Sequence, residues 1–365
     1  MMSVEVNNFD MWTKERNLTD ILYDLNMFLS EVCPAVSIHD GFVDKYNHNG
    51  FTAIFRSVDK AVRASEEILF MVHKIQGMSR IYGDMKISIA MHSASVLVGT
   101  IGEDNRMDST IISSEAHFNE RLLSINKTLG SNILASSCTV QSKKFKHKRS
   151  IGVIEMNGEL VQISEIFQDH KNKLNTIKIF EQAVKAVNNK GYYEAIELFT
   201  QVMAMDPYDN VCQNLLKMCF EAVQKIEMIM NKFTPKEVLK YPTLRELLHQ
   251  QCIAEHSCEN FDLYELIEEY QKVSPDLMKS QAQYIYHTFC DLDSPQAVNI
   301  IERTKINLLQ NLKDQDYVFN KDTLNDLMRQ MLVNMSDTVN RLVESYLFKK
   351  TCIKILTEHA KPLLQ

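Results

Sequence analysis

The periodicity of the chain changes near residue 171, and that change limits what it can fold into. Before it, alternating and helical runs take turns. Val36-Ser37-Ile38-His39, Phe51-Thr52-Ala53-Ile54-Phe55 and Lys86-Ile87-Ser88-Ile89-Ala90-Met91-His92 alternate as half-buried strands do. Ala61 to Ile75 and Phe118 to Leu129 place apolar residues at helical spacing. Strands separated by helices of this length predict an α/β sandwich. After about residue 171 the alternation stops, and Pro, Gly, Asp and Asn punctuate long 3.6-period segments. Breaks fall near Tyr241-Pro242, Ser257, Ser274-Pro275, Asp293-Ser294-Pro295 and Asp314-Gln315-Asp316, so the C-terminal half reads as all helix.

Composition removes several function classes. A net charge of -7 over 365 residues gives no general attraction to nucleic acid or anionic membrane. The one basic run, Lys143-Lys144-Phe145-Lys146-His147-Lys148-Arg149, is expected to be a solvated loop; a contact with acidic lipid headgroups is the sharper alternative. No stretch reads as a secretory leader or as the ~20 apolar residues of a membrane span. The eight cysteines have no framework spacing, which predicts reduced thiols and a cytoplasmic location. Membrane association is expected only as peripheral recruitment to the inner face of the plasma membrane. Cys252, Cys258, His249 and His256 lack the tight spacing of a structural zinc site. Neither a metal nor a cofactor is expected.

In the helical half, Ser257 suits an N-cap, with Glu259 and Asn260 in the first turn of a helix carrying Phe261, Tyr264 and Ile267. Ala282, Ile285, Tyr286 and Phe289 share one buried helix face. Pro295 after Ser294 predicts a helix start with Asn299 near its opening turn. Asp337, Thr338 and Arg341 fall within one turn of the last long helix and share a polar patch. Taken singly, these polar residues are helix caps and an intrahelical ion pair.

Their joint order, with Ser257-Cys258-Glu259-Asn260-Phe261-Asp262-Leu263-Tyr264, Ala297-Val298-Asn299-Ile300 and Asp337-Thr338-Val339-Asn340-Arg341, resembles the regulator of G-protein signalling (RGS) family over Thr234 to Lys350. The resemblance implies an all-α bundle that binds the α subunit of a heterotrimeric G protein (Gα). Glu259 and Asn260 would contact the Gα switch segments. Asn299 would reach the glutamine that orients the attacking water, and Asp337, Thr338 and Arg341 would brace switch I. Tyr264 stands where the family usually has tryptophan, Cys258 where it has an acid, and Asp322 to Met335 runs a few residues long.

The N-terminal part resembles a class III nucleotide cyclase domain, through Val43-x-Lys45-x-x-His48-Asn49-Gly50, Ile89-Ala90-Met91-His92, Asp108-Ser109-Thr110, Arg121-Leu122 and Ile133-Leu134-Ala135-Ser136. The resemblance implies a ferredoxin-like sandwich. Such cyclases hold two divalent ions between two carboxylates. The second of these falls at Asn49, a neutral amide, and the first at or near Glu5. His117 stands at the transition-state asparagine, Arg121 at the phosphate-binding arginine and Lys45 at the base-recognition position. These four form a vestigial nucleotide site in a catalytically silent domain that regulates, or pairs as a homodimer or a cyclase-domain heterodimer.

Ile177 to about Leu216 resembles one tetratricopeptide repeat (TPR). A single repeat needs neighbours to bury its faces, so it is expected to pack on the flanking domains. The expected organisation is 1–170 cyclase-like, 171–231 TPR-like linker, 232–350 RGS and 351–365 helical tail. The expected function is acceleration of Gα GTP hydrolysis, with an active or half-active cyclase regulated by Gα, or a binding-only Gα scaffold, as alternatives.

Overall fold

The computed structural model describes the chain except residues 8, 15, 79–84, 105, 142–144, 146, 169, 358–362 and 365. It divides into two compact units, Met1–Ala222 with Ala360–Gln365, and Val223–His359.

The first unit runs β1 (Met2–Asn7), α1 (Phe9–Thr13), α2 (Leu18–Val32), α3 (Pro34–Ile38), β2 (Gly41–Asn47), β3 (Gly50–Phe55), α4 (Val58–Met78), β4 (Lys86–Met91), β5 (Leu97–Glu103), β6 (Arg106–Ile112), α5 (Ala116–Leu129), β7 (Ile133–Ser136), α6 (Ser137–Val140), β8 (Lys148–Met156), β9 (Glu159–Ile166), α7 (Lys171–Asn188), α8 (Tyr192–Met205) and the start of α9 (Asn210–Met230). Seven strands form one sheet in the order β2-β3-β1-β4-β7-β9-β8, while β5 and β6 form a separate ribbon. β1 lies antiparallel to both β3 and β4, so β1 to β4 make the split βαββαβ arrangement of a ferredoxin-like sandwich. β7 extends the sheet in parallel to β4, and the β8–β9 hairpin closes its edge.

Strand alternation sorts β1 into two faces. Met2, Val4 and Val6 are buried in a core with Phe28, Val32, Ile68 and Val72 of α2 and α4. Ser3 and Glu5 face the other way, under α5. That helix is held by Asn119 Nδ2 donating to Ser3 Oγ (3.2 Å) and Asn126 Nδ2 to the Ile89 carbonyl (3.0 Å), and it ends at Gly130 with φ +69°. Gly50 sits opposite Glu5, where a Cβ would run into the Val4 carbonyl, so β3 can pass close to β1 only without a side chain there.

Three expectations change. Val36 to Ile38 is the end of α3, not a strand; Pro34 at the first helical position favours the helix, and Ala35 and Val36 bury its inner side. Leu18–Ile38 is, among the described residues, the one segment long and apolar enough to cross a membrane by length and composition. It is broken at Cys33 into two helices, with Phe28 and Val32 in the sandwich core. The basic run is not simply solvated. Lys143, Lys144 and Lys146 lie outside the described residues, but Arg149 is 1% exposed.

Arg149 is the hub between sheet and helices. Its Nε donates to Glu165 Oε2 (2.6 Å), and Nη1 and Nη2 grip Asp209 at 2.5 and 2.7 Å. The guanidinium lies 3.7 Å from the Phe180 ring centroid, and Lys173 Nζ reaches Glu165 at 2.9 Å. Burial opposes the Arg149 charge, but Glu165 and Asp209 outweigh it and push its pKa up. Burial likewise opposes the Asp209 charge, and the hydrogen bond from Arg149 overcomes it and holds that carboxyl low. Asp209 also caps α9 through the Cys212 amide (3.2 Å). The α7–α8 hairpin, closed by Phe180 against Phe199 (5.5 Å, edge-on), therefore packs on the sheet as part of this unit. Leu364 returns to the same unit, where a Cβ on Gly152 would come within 2.7 Å of it.

The second unit contains the end of α9, then α10 (Pro235–Leu239), α11 (Pro242–Ala254), α12 (Cys258–Tyr270), α13 (Pro275–Ile285), α14 (Glu302–Lys313), α15 (Asn325–Asn334), α16 (Ser336–Val343) and α17 (Tyr346–Leu356). Leu248, Phe261, Ile267, Tyr270, Ala282, Ile285, Met331 and Phe348 fill its core. α13 continues as a π-helical turn, Tyr286–Cys290, that buries Phe289. The helix expected at Pro295 is absent: residues 291–301 form turns and extended chain, and α14 starts at Glu302. The Val298 amide bonds to the Phe289 carbonyl (2.9 Å), which folds this segment back on the π turn in place of a helix start.

Replacing Arg149 by Met should destabilise the first unit by about 3–5 kcal/mol, because Glu165 and Asp209 would stay buried without their partner. Urea unfolding, with hydrogen exchange read at β8 and β9, measures it. A loss below ~1 kcal/mol would show the network to be energetically minor.

Candidate functional site

Four of the six residues expected to meet Gα, Asn260, Asn299, Thr338 and Arg341, are held in the helical unit through two residues the sequence did not single out. Asn334, at the end of α15, donates through Nδ2 to Asn260 Oδ1 (2.9 Å) and to the Asn299 carbonyl (2.9 Å). Glu255, in the turn after α11, accepts from Thr338 Oγ1 (2.9 Å) and takes a bidentate grip from Arg341, Nε at 2.7 Å and Nη2 at 2.5 Å. The turn carrying Glu255 leads directly into the first helical turn holding Asn260, so the two clusters share one edge. Asp337 is exposed beside Arg341 and adds to the field that keeps that guanidinium charged. Glu259 is half-buried in the first turn of α12. Asn299 is exposed, on the extended segment and not in a helix.

The local chemistry differs from single-residue capping. Ser257 occupies the cap position of α12, yet its hydroxyl makes no cap bond. Arg341 pairs across the bundle with Glu255, not along its own helix with Asp337. The hydrogen bond from Arg341 holds the Glu255 carboxyl down to about 2, from an ordinary 4.5. Arg341 and Thr338 are thus fixed by one carboxylate, while the Arg341 side chain stays 57% exposed. Leu292, Ile301 and Val333, in the same segments, expose large apolar side chains. His249 stacks on Phe261 (4.7 Å), and no metal-binding group of His, Cys, Asp or Glu occurs among the described residues.

The α/β unit has a cavity of about 420 Å³ lined by Ser3, Glu5, Lys45, His117, Asn119 and Glu120, among others. Lys45 is exposed at its rim. His117 is exposed too, 3.4 Å from Glu120. Asn49 is buried at the β2–β3 hairpin, its Nδ2 3.2 Å from the Val6 carbonyl and 3.5 Å from Glu5 Oε2. Arg121 does not join them: it donates to the Glu155 carbonyl on β8 at 2.6 Å and does not line the cavity. Two divalent ions need at least two anionic oxygen donors. The two positions that the resemblance assigns to the ions supply one carboxylate and one amide, which does not fit the pair, while Asp44 and Glu120 add carboxylates elsewhere in the cavity lining.

The comparisons follow this division. Residues 234–351 match the family model described as the regulator of G protein signaling domain. The N-terminal region resembles the terminal-differentiation-specific adenylate cyclase of Dictyostelium discoideum, 20% identical over 241 residues, 61% of this chain and 11% of that protein. It also resembles the adenylate cyclase of Anabaena cylindrica, 24% identical over 163 residues, 41% of this chain and 32% of that protein. The chain thus spans between a tenth and a third of these relatives' lengths. Among solved structures, a bacterial light-regulated adenylyl cyclase aligns with a TM-score of 0.43 at 16% identity, over 50% of this chain and 56% of that one. The adenylyl cyclase CyaB from P. aeruginosa aligns with a TM-score of 0.40 at 22% identity, over 47% of this chain and 93% of that one. The chain carries an RGS domain behind a cyclase-like α/β region.

The Glu255 carboxyl should titrate near pH 2 by carbon-detected NMR and rise toward the ordinary 4.5 in Arg341→Ala, where the hydrogen bonds from Gln251 and Thr338 remain. Its pKa is lowered on folding, so the clasp contributes fully above about 4.5 and is lost as pH falls toward 2. An unshifted titration in the native protein would show that the clasp does not form.

Proposed function

We propose that this chain is a GTPase-activating protein for heterotrimeric Gα subunits, carrying a cyclase-like domain that makes no cyclic nucleotide. What supports the reading most is the convergence of Asn260, Asn299, Thr338 and Arg341 on one edge of the RGS domain, through Asn334 and Glu255. Gα already carries its catalytic arginine in cis, and phosphoryl transfer is mainly positioning and charge stabilisation. A partner that binds the mobile switch segments best in their transition-state arrangement shifts the population toward it. Each tenfold of acceleration needs only about 1.4 kcal/mol of such preference. A few hydrogen bonds from side chains already held in place supply that without paying for their ordering.

In this reading Asn299 offers its side-chain amide to the glutamine and water of Gα while Asn334 holds its main chain. Asp337, Thr338 and Arg341 brace switch I, and Glu259 and Asn260 line the same edge. The protein acts in the cytoplasm and reaches the inner face of the plasma membrane only through Gα. The α/β region regulates, or pairs with a second copy or another cyclase domain. The β5–β6 ribbon suits pairing, since Leu97, Val98, Ile101, Met107 and Ile112 expose their side chains along it.

The names of the relatives favour a second reading, an active or half-active cyclase governed by Gα. Cyclic nucleotide formation from ATP or GTP with Mn²⁺ would establish it. A binding-only scaffold would capture the aluminium-fluoride and GTP-analogue states of Gα equally well.

Single-turnover GTP hydrolysis by Gα tests the main reading. The full chain should accelerate it, Asn299→Ala should reduce the acceleration about tenfold or more, equivalent to ~1.4 kcal/mol of lost preference, and adding Asp337→Ala should abolish it. Unchanged hydrolysis with every Gα of the source organism would reject the proposal.

A further inference from the structure

Glu5, in the lining of the α/β cavity, already has a cation in contact with it. Lys127, near the end of α5, places Nζ 2.6 Å from Glu5 Oε2, the oxygen that Asn49 Nδ2 also approaches at 3.5 Å. The Glu5 side chain is 16% exposed and that of Lys127 38%, so the pair is sheltered without being sealed. The approach is fixed from both sides. Asn119 and Asn126 tie α5 to β1 and β4 at 3.2 and 3.0 Å, while β1 is locked to β3 by the close passage at Gly50. Lys127 therefore sits over Glu5 because the whole helix does.

We infer that Lys127 is a built-in counter-ion that takes the place of a divalent cation at Glu5, which makes this a metal-free cleft. The inference deepens the non-catalytic reading of the α/β region and rests on it in part. Its physical basis is charge balance. A divalent ion is held by carboxylates whose summed negative charge offsets its own. Here Asn49 contributes none, and the single negative charge of Glu5 is already met by an ammonium in direct contact. An incoming ion at Glu5 would have to expel Lys127, and beside Glu5 it would find an amide, Asn49, where a second carboxylate would be needed; Asp44 and Glu120 line the same cavity. The same ammonium does structural work: it satisfies the half-buried carboxylate that would otherwise face Asn49 and the β1 backbone alone.

Mn²⁺ titration of the full chain, followed by electron paramagnetic resonance, tests this in the native protein, Asn49→Asp, Lys127→Met, the double variant, and the double variant with Glu5→Gln. The native protein should show no uptake that depends on Glu5. The double variant should bind Mn²⁺ at least about tenfold tighter than either single variant, a typical size for changes beside a metal ligand, and Glu5→Gln should remove the gain. It should also be the variant whose thermal unfolding rises with added Mn²⁺. Lys127→Gln provides the same comparison should Lys127→Met fail to fold. The inference fails if removing Lys127 from the Asn49→Asp protein leaves its affinity unchanged, or if the native protein already takes up Mn²⁺ through Glu5. Cyclic nucleotide measured in the same samples would defeat the non-catalytic reading separately, whatever the titration shows.

Discussion

The first unit depends on one buried charge. Arg149 lies between a strand hairpin and a helical hairpin, shielded from solvent, and its Nε, Nη1 and Nη2 each meet a carboxylate. Ions buried this way gain little net stability over a well-packed apolar core, because desolvation consumes most of the attraction. What they impose is geometry. Asp209 can meet both Nη atoms only when α9 starts at that point, and Glu165 only when β9 keeps its register with β8. The α7–α8 hairpin is therefore not a loose linker; the ring of Phe180 and the carboxylate of Asp209 bind it to the sheet, and β8 at the sheet edge covers its inner face.

The helical unit uses charge differently. The Glu255–Arg341 pair is exposed and screened, so it adds little to stability. It restricts the rotamers of Thr338 and Arg341. Asn334 does the same for Asn260 and for the extended segment that carries Asn299. Order arranged before binding is order that binding need not supply. The polar edge of the bundle is accordingly held by its own hydrogen bonds rather than by core packing.

Both architectures were legible in the sequence, because long helical periods and repeated short alternating runs together mark the change from an α/β region to an all-helical one. The order of polar residues along the helical half was legible too, and the structure brings most of them together. Four details were not. Val36 to Ile38 alternates over too few residues to outweigh the helix that Pro34 starts. Pro295 after Ser294 has the form of a helix start, but the π turn before it leaves a backbone pairing between Phe289 and Val298 that holds the segment open. Arg149 ended a run of lysines and looked solvated; only the fold shows that its strand turns it inward. Glu255, Asn334 and Lys127 act through residues 86, 74 and 122 positions away in some of their contacts, a relation that no local spacing encodes.

Leu364 against Gly152 has a consequence for synthesis. The segment that fills the space beside that glycine emerges from the ribosome only after all of the RGS domain has been made. The α/β unit therefore gains this apolar contact only after the chain of the helical bundle has been made, so this one contact forms late however early the rest of the sandwich folds.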